Sequence, residues 1–177
     1  VRDGECLLGA VVDEAMQLGA FGQIAHEFWA QVVVHFPGTA LDVFTTMPNH
    51  VHAVIVIQEP SLAVGPEEES EETSPLQDGW DGVREGERVG TAVQRATEGP
   101  SLGKIVAYYK YQTTVQVNQL RDMPGVPFWQ RNYWEHIIRD ETSFNRIREY
   151  IDNNPARWAE DQLHPEASPN RFNRWQP

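Results

Sequence analysis

The sequence predicts an α+β fold, in which an antiparallel sheet is packed against helices. Two short stretches that favour extended backbone lie close together in the first third of the chain, so they are expected to pair with each other. Stretches with apolar residues at helical spacing precede and follow them. Hydrophobic residues make up 40% of the 177 residues, which is enough to build the core of one domain.

The first elements follow from the spacing of apolar residues. Residues 13–35 carry them at roughly helical intervals and are predicted to form a helix that Gly38 closes. Residues 41–46 and 51–57 are rich in β-branched side chains and are predicted strands. The connection between these strands contains Pro48, which disfavours helix for the residue before it.

The later elements are predicted from capping residues and breakers. Ser101 is a suitable N-cap for a helix that runs to about Asn118. The aromatic and branched residues of 128–138 predict a strand pair or a strand plus a turn. Asp140 is a suitable N-cap for a last helix over residues 141–153, which Pro155 ends.

The charge distribution divides the chain. Residues 58–100 contain eleven acidic and three basic residues together with many glycines, so we expect an acidic insertion that stays solvated or disordered. One domain is therefore predicted from residues 1–57 and 101–165, with a C-terminal tail at 166–177. The net charge of −12 argues against a general nucleic-acid coat, although all of the excess negative charge lies in the insertion and the N-terminal third, and residues 101–177 are nearly neutral.

Several protein classes are excluded by simple features. Cys6 is the single cysteine, so there is no disulfide framework and a reducing, cytoplasmic setting is expected. Apolar runs are far shorter than the roughly 20 residues of a membrane helix, and no secretory signal is visible.

His50 and His52 lie two residues apart at the start of the second predicted strand. Residues at that spacing point to one face of a strand, about 6–7 Å apart at the backbone. Two imidazoles so placed can bind one divalent ion and leave coordination positions open for catalysis. The same pair is equally compatible with ordinary, partly buried histidines.

Tyr150 and Asn154 lie one turn apart near the end of the last predicted helix. A tyrosine at the edge of an apolar stripe usually serves packing. With an amide one turn away and a histidine pair elsewhere, Tyr150 is also a candidate nucleophile. A tyrosine that attacks phosphorus needs a metal to neutralise the phosphate oxygens.

Three blocks of the sequence together resemble REP-associated tyrosine transposases, which belong to the single-tyrosine (HUH) insertion-sequence transposases. The blocks are Met-Pro-Asn-His-Val-His-Ala-Val-Ile from residue 47, Phe-Trp-Gln-Arg-Asn-Tyr-Trp-Glu-His-Ile-Ile-Arg-Asp-Glu from residue 128, and Arg-Glu-Tyr-Ile-Asp-Asn-Asn-Pro from residue 148. The resemblance covers residues 6–165, interrupted by the acidic insertion. It implies a ferredoxin-like antiparallel sheet with packed helices.

The resemblance also implies an activity and its residues. Such enzymes cut and rejoin single-stranded DNA beside a REP-like hairpin, through a covalent 5′-phosphotyrosine and with Mg²⁺ or Mn²⁺. By the family motif, Tyr150 is the nucleophile, and His50, His52 and Asn154 are the metal ligands. Family members have a further strand upstream of the segment that corresponds to Cys6. This sequence lacks that strand, so we expect either that its start is placed too late or that it is a decayed copy or fragment, and the activity is a weaker expectation than the family.

Candidate DNA contacts are arginines and lysines that can hold phosphates and aromatic residues that can stack on bases: Arg131, Arg148, Lys104, Trp129 and Tyr133. Aromatic residues in a strand more often belong to a core, and helix arginines are more often solvated. His136 has no assigned role. A monomer and a homodimer are both open, and membrane partners are not expected.

Two other functions compete with the transposase. One is a protein that binds a DNA hairpin without cutting it, or an inactive remnant. The other is a hydrolase that uses the histidine pair and a water molecule.

Overall fold

Two antiparallel strand pairs and three α-helices form the described part of the chain, residues 1–58 and 99–168 of the computed structural model. The strands are β1 (Gly9–Val12), β2 (Ala15–Leu18), β3 (Thr39–Thr46) and β4 (Val51–Ile57). The helices are α1 (Ala20–His35), α2 (Leu102–Leu120) and α3 (Glu141–Asp152), with 3-10 turns at Arg2–Gly4 and Pro155–Glu160. This mixture is compatible with the predicted α+β class.

Two predicted segments, the acidic insertion and the C-terminal tail, lie largely outside the described residues. Residues 59–98 of the predicted acidic insertion and residues 169–177 of the predicted tail lie outside the described residues. In the described ranges, no helix is both long enough and apolar enough to cross a membrane.

The predicted helix over residues 13–35 is wrong in its first part, where the chain forms the β1–β2 hairpin. Val12 pairs with Ala15, so Asp13 and Glu14 alone make the turn. Their φ angles are 50° and 63°. Left-handed backbone at both residues of a two-residue loop matches the right-handed twist of the strands, and aspartate is among the residues that tolerate it. Helix α1 begins only after Gly19.

Helix α1 forms the core with β3 and α2. Trp29 stacks on Phe44 of β3 with ring centroids 4.8 Å apart and meets Tyr109 of α2 edge-on at 5.6 Å. The buried hydroxyl of Tyr109 donates a hydrogen bond of 2.8 Å to the carbonyl oxygen of Ala25, back in α1. The stacked and edge-on aromatic contacts fix how helix and sheet lie together.

Strands β3 and β4 pair antiparallel with one irregularity. Leu41 pairs with Ile55 and Phe44 with Ala53, so two residues of β3 lie opposite one residue of β4. Such a bulge bends the strand and redirects its side chains. It contains Asp42, whose carboxylate lies 2.8 Å from the Nε atom of Arg148 in α3. The bulge therefore supplies an attachment point for the last helix.

The two later helices begin where the sequence predicts. The Ser101 side chain accepts a hydrogen bond from the backbone N–H of Lys104, and Asp140 accepts one from that of Ser143. Both are N-cap contacts that satisfy N–H groups without a partner inside the helix.

The strand predicted within residues 128–138 is not formed in the described chain. Phe128 is buried, but Trp134 and Ile137 are 73% and 68% exposed. The backbone carbonyl groups of Gln130 and Asn132 accept hydrogen bonds from the ammonium group of Lys110. Residues that favour extended backbone form a strand only beside another strand edge, and here a side chain takes the carbonyl groups instead.

Gly22 gives a sharp test of the packing between α1 and the segment before β1. A methyl group at Gly22 would lie 1.9 Å from the carbonyl oxygen of Leu8. Although alanine favours helices, we expect Gly22→Ala to destabilise the fold by about 1–3 kcal/mol because the backbones must separate. Chemical denaturation measures the change.

Gly103 is the matched control, since it also lies in a helix but its added methyl group would meet the Tyr133 hydroxyl only at 3.6 Å. Gly103→Ala is expected to leave stability unchanged or raise it by up to about 1 kcal/mol. Equal effects of the two substitutions would contradict the close approach at Leu8.

Candidate metal and tyrosine site

The two predicted histidine ligands meet at the beginning of β4. His50 ends the connection from β3, and His52 is the second residue of β4, where it pairs with Thr45. Their Nε2 atoms are 2.9 Å apart, and the rings are nearly perpendicular, with centroids separated by 4.6 Å. Neighbouring ligands of an octahedral ion with bonds of about 2.1 Å lie about 3 Å apart, so this separation suits one shared cation.

Asp161 joins the histidine pair from the far end of the chain. One carboxylate oxygen lies 3.9 Å from Nε2 of His50, and one ligand atom from each of the three residues lies within 4.8 Å of the others. The other carboxylate oxygen accepts a hydrogen bond of 2.6 Å from the backbone N–H of Leu163. The sequence analysis missed Asp161, which follows the 3-10 turn after α3 and lies in none of the three matching blocks.

Burial keeps both imidazoles neutral. It lowers the pKa of His50 well below its ordinary value, and the neighbouring His52 lowers it further. Burial also lowers the pKa of His52, although the negative charge of Asp161 opposes that effect. Neutral imidazole is the form that binds metals. The cluster therefore offers two uncharged nitrogen donors and one anionic oxygen donor.

Asn154 lies at the same site with one polar atom unused. Its side-chain nitrogen is 3.4 Å from Nε2 of His52, and its buried carbonyl oxygen has no hydrogen-bond partner among the described residues. A buried carbonyl oxygen without a partner is costly, and rotating the amide by 180° turns that oxygen toward His52. The predicted third ligand is thus within reach of the pair.

These four side chains fit a divalent cation. Imidazole nitrogen together with carboxylate and amide oxygen is a mixed donor set that Mn²⁺ accepts, and four protein ligands leave further coordination positions open. A site with one net negative charge also favours a cation electrostatically. Because Mg²⁺ prefers oxygen ligands, the two imidazole nitrogens suit Mn²⁺ better than Mg²⁺.

Tyr150 borders this cluster from α3. Its ring centroid is 5.6 Å from that of His52, and the side chain is about half exposed. Burial and then the charge of Asp161 raise the pKa of Tyr150, while a hydrogen bond with Asn154 lowers it. The half-exposed Tyr150 side chain therefore lies beside the His52 ring, and its raised pKa keeps the hydroxyl protonated at neutral pH.

Arg148 is engaged on the protein itself. Besides its ion pair with Asp42, its guanidinium lies over the ring of Phe144 at 5.3 Å. A phosphate contact would have to compete with that carboxylate. Its predicted contact with DNA remains a prediction.

The other predicted DNA contacts lie near α2, and only Trp129 is tied into the core. Its indole N–H donates a hydrogen bond of 2.7 Å to the Thr113 hydroxyl. Arg131 is exposed and lines a shallow cleft of about 260 Å³ with Trp129 and residues of α2. Tyr133 and Lys104 are exposed near the beginning of α2, and His136 is exposed in the irregular segment.

Comparison with known proteins finds one informative similarity. The chain is 36% identical over 165 residues to a Haemophilus influenzae protein that is named only as an uncharacterized protein. The aligned region covers 92% of this chain and 80% of that relative. No model of a known protein family matches the chain, and no solved structure gives a significant match.

Removing the Asp161 carboxylate tests whether it binds the cation. Because a ligand contributes at least as much as the groups that orient it, we expect Asp161→Asn to weaken Mn²⁺ binding by about tenfold or more. Isothermal titration with MnCl₂ measures the affinity.

Asp152 is the matched control, since it is exposed at the end of α3. Asp152→Asn is expected to leave the Mn²⁺ affinity unchanged. If both variants bind Mn²⁺ as the unmodified protein does, Asp161 is not a ligand.

Proposed function

The chain belongs to the same family as this Haemophilus influenzae protein, and we propose that it is a metal-dependent transposase of the REP-associated tyrosine type. In this proposal it cuts and rejoins single-stranded DNA next to a hairpin, with Tyr150 as the nucleophile. One observation supports the proposal most: His50, His52, Asp161 and Asn154 meet in one cluster, and Tyr150 borders it. The two histidines lie in the first third of the chain, and the other three residues lie in its last third.

The proposed reaction is a transfer of one phosphodiester bond. The Tyr150 hydroxyl oxygen attacks the phosphorus and forms a new bond to it, so that the tyrosine becomes linked to the 5′ phosphate of one DNA strand end. The bond between the phosphorus and the 3′ oxygen of the other strand end breaks. Tyr150 gives up its proton to solvent water, and the departing 3′ oxygen takes one from water, so no net proton is gained or lost. In the reverse reaction a 3′-hydroxyl attacks the phosphotyrosine, so rejoining needs no nucleotide cofactor.

The protein's own residues have distinct roles in this proposal. His50, His52 and Asp161 hold the ion, and Asn154 contributes its amide oxygen. When bound, Mg²⁺ or Mn²⁺ supplies positive charge that polarises the phosphate and stabilises the ionised tyrosine. Helix α3 presents the Tyr150 hydroxyl to the DNA strand, and the half-exposed position leaves room for a phosphate to approach.

The proposal extends to the topology of the sheet that contains β3 and β4. Strands β3 and β4 pair antiparallel, and helices α1 and α3 both contact β3. We propose that this pair is part of a ferredoxin-like sheet of the HUH type. In support of this, His50 directly precedes β4, His52 lies on β4, and Tyr150 lies on α3, which contacts β3.

Single-stranded DNA with a REP-like hairpin is the proposed partner. The shallow cleft beside Trp129 and Arg131 combines an aromatic wall with exposed positive charge, which suits a strand with unpaired bases. We propose that the protein acts in the cytoplasm, as a monomer or a homodimer.

Covalent capture of DNA tests the proposed nucleophile. The protein is incubated with Mn²⁺ and an end-labelled oligonucleotide that carries the hairpin, then run on a denaturing gel. A labelled protein band is expected for the unmodified chain and not for Tyr150→Phe. Tyr108→Phe is the matched control, because Tyr108 is also a partly exposed helix tyrosine but stacks on His35 and does not line the cleft beside Arg131.

The competing functions predict other results. A protein that only binds hairpins shifts the oligonucleotide on a native gel but forms no labelled band under denaturing conditions. A hydrolase that uses water cleaves the DNA in both the unmodified and the Tyr150→Phe protein. Either result contradicts the tyrosine mechanism.

Salt dependence tests the proposed DNA surface. Each phosphate contact contributes about 0.7 to the slope of log affinity against log salt for single strands. Arg131→Ala is expected to weaken binding and reduce that slope by about one contact. Arg148→Ala is expected to change the slope less, because Asp42 already pairs with the guanidinium. Equal slopes for Arg131→Ala and the unmodified protein would exclude Arg131 from the DNA surface.

A further inference from the structure

Asn49 is the most completely bonded side chain at the candidate site. It is only 1% exposed, although it lies in the connection between β3 and β4. Its amide nitrogen donates hydrogen bonds to the carbonyl oxygens of Gly4, at 3.0 Å, and Leu163, at 2.8 Å. Its amide oxygen lies 2.7 Å from Nδ1 of His50.

The two carbonyl groups fix the orientation of this amide. A carbonyl oxygen only accepts hydrogen bonds, so the atom that faces Gly4 and Leu163 must be the amide nitrogen. The atom that faces His50 is then the oxygen, which in turn can only accept. Nδ1 of His50 therefore carries the hydrogen.

This assignment determines the chemistry of the opposite ring nitrogen. A neutral imidazole has one hydrogen, so Nδ1–H leaves a lone pair on Nε2. That is the atom 2.9 Å from Nε2 of His52 and 3.9 Å from the carboxylate of Asp161. Metal-binding histidines commonly donate their other N–H to an oxygen that fixes the ring in this way.

The same amide also connects to the carboxylate ligand. Leu163 accepts from Asn49 through its carbonyl oxygen and donates through its N–H to Asp161. Asn49 thus holds the loop that carries Asp161 with one hydrogen bond and orients the ring of His50 with another.

We propose that Asn49 is a positioning residue that holds His50 in the Nδ1–H form and fixes the Asp161 loop, so that both residues present free ligand atoms to a divalent cation. This inference rests on the metal centre of the proposed function. Its first consequence, the tautomer of His50, is nevertheless measurable in protein to which no metal has been added.

The tautomer is read from the imidazole nitrogen signals of ¹⁵N-labelled protein at about pH 8, above the ordinary pKa of histidine. His50 is identified by the signals that vanish in His50→Gln. We expect a protonated Nδ1 and an unprotonated Nε2. In Asn49→Ala the acceptor is gone, and the Nε2–H form, which imidazole prefers in water, is expected to gain population.

Mn²⁺ affinity supplies the second measurement. Asn49→Ala is expected to weaken Mn²⁺ binding by about 10–100-fold, as is typical for groups that orient metal ligands. Asn118→Ala is the matched control, because Asn118 is also a buried asparagine. Its amide nitrogen donates to the carbonyl oxygen of Val126, and its amide oxygen accepts from Arg121, which directly follows α2. That substitution is expected to leave tautomer and affinity unchanged.

Asn49→Asp keeps an oxygen acceptor for Nδ1 and loses both donated bonds. It is expected to retain the Nδ1–H form while Mn²⁺ binding still weakens, which separates the two parts of the role. If Asn49→Ala does not fold, the tautomer of the unmodified protein and of Asn49→Asp decides the question.

Two results would overturn the proposal. One is an Nε2–H form of His50 in the unmodified protein, and the other is an Asn49→Ala protein with the same His50 tautomer and the same Mn²⁺ affinity as the unmodified protein. Failure of the proposed function looks different. If the protein has the expected tautomer but binds no Mn²⁺, the orientation of His50 stands and the metal assignment is wrong. If it binds Mn²⁺ but forms no phosphotyrosine, the transposase assignment is wrong.

Discussion

The buried connection between β3 and β4 is the constraint on which the site depends. It joins chain segments that are far apart in sequence, since Asn49 bonds to Leu163 across 114 positions. The carbonyl oxygen of Pro48 accepts a hydrogen bond from Leu8, whose own carbonyl oxygen accepts one from Gly19 at the entrance to α1. Connections usually lie at the surface because their backbone groups need water. This one can be buried because neighbouring segments supply those hydrogen bonds.

The position of Tyr150 depends on a second connection, between α3 and the bulge in β3. Asp42 lies in the bulge and pairs with Arg148, two residues before Tyr150. A partly exposed ion pair contributes only about 0.2–1 kcal/mol to stability. The ion pair nevertheless matters for the orientation of α3, because Ile151 is the one buried residue of that helix and provides little apolar contact to hold it. The ion pair therefore helps to set the rotation of α3, and with it the direction of the tyrosine.

The elements of the fold were predictable where side-chain type and spacing determine them locally. They were less predictable where contacts with distant segments of the chain determine them. Strand β4 and the caps Ser101 and Asp140 agree with their predictions because side-chain type and spacing determine them locally. The β1–β2 hairpin was missed because its apolar spacing fits a helix as well as a strand, and the turn at Asp13 and Glu14 contains no glycine. The irregular 128–138 segment differs because a strand requires a free neighbouring edge, which no local pattern specifies.

The site shows the same division. His50, His52, Tyr150 and Asn154 stand out in the sequence because their spacing on one strand or one helix carries information. Asp161 and Asn49 do not, since an aspartate after a helix and an asparagine in a turn are common for local reasons. Their importance comes from contacts with segments more than a hundred positions away, or with a neighbouring ring whose tautomer the sequence does not record.

Asp161 links the histidine pair to the tyrosine electrostatically. Its negative charge raises the pKa of Tyr150 and opposes the lowering of the pKa of His52. The same charge attracts a divalent cation, and a cation held by this carboxylate offsets the field that Tyr150 experiences. Ionisation of the tyrosine then costs less than it does beside the bare carboxylate. In the proposed mechanism this carboxylate therefore couples the ionisation of Tyr150 to the cation, because the charge that attracts the cation adds to the burial that raises the pKa of the hydroxyl group.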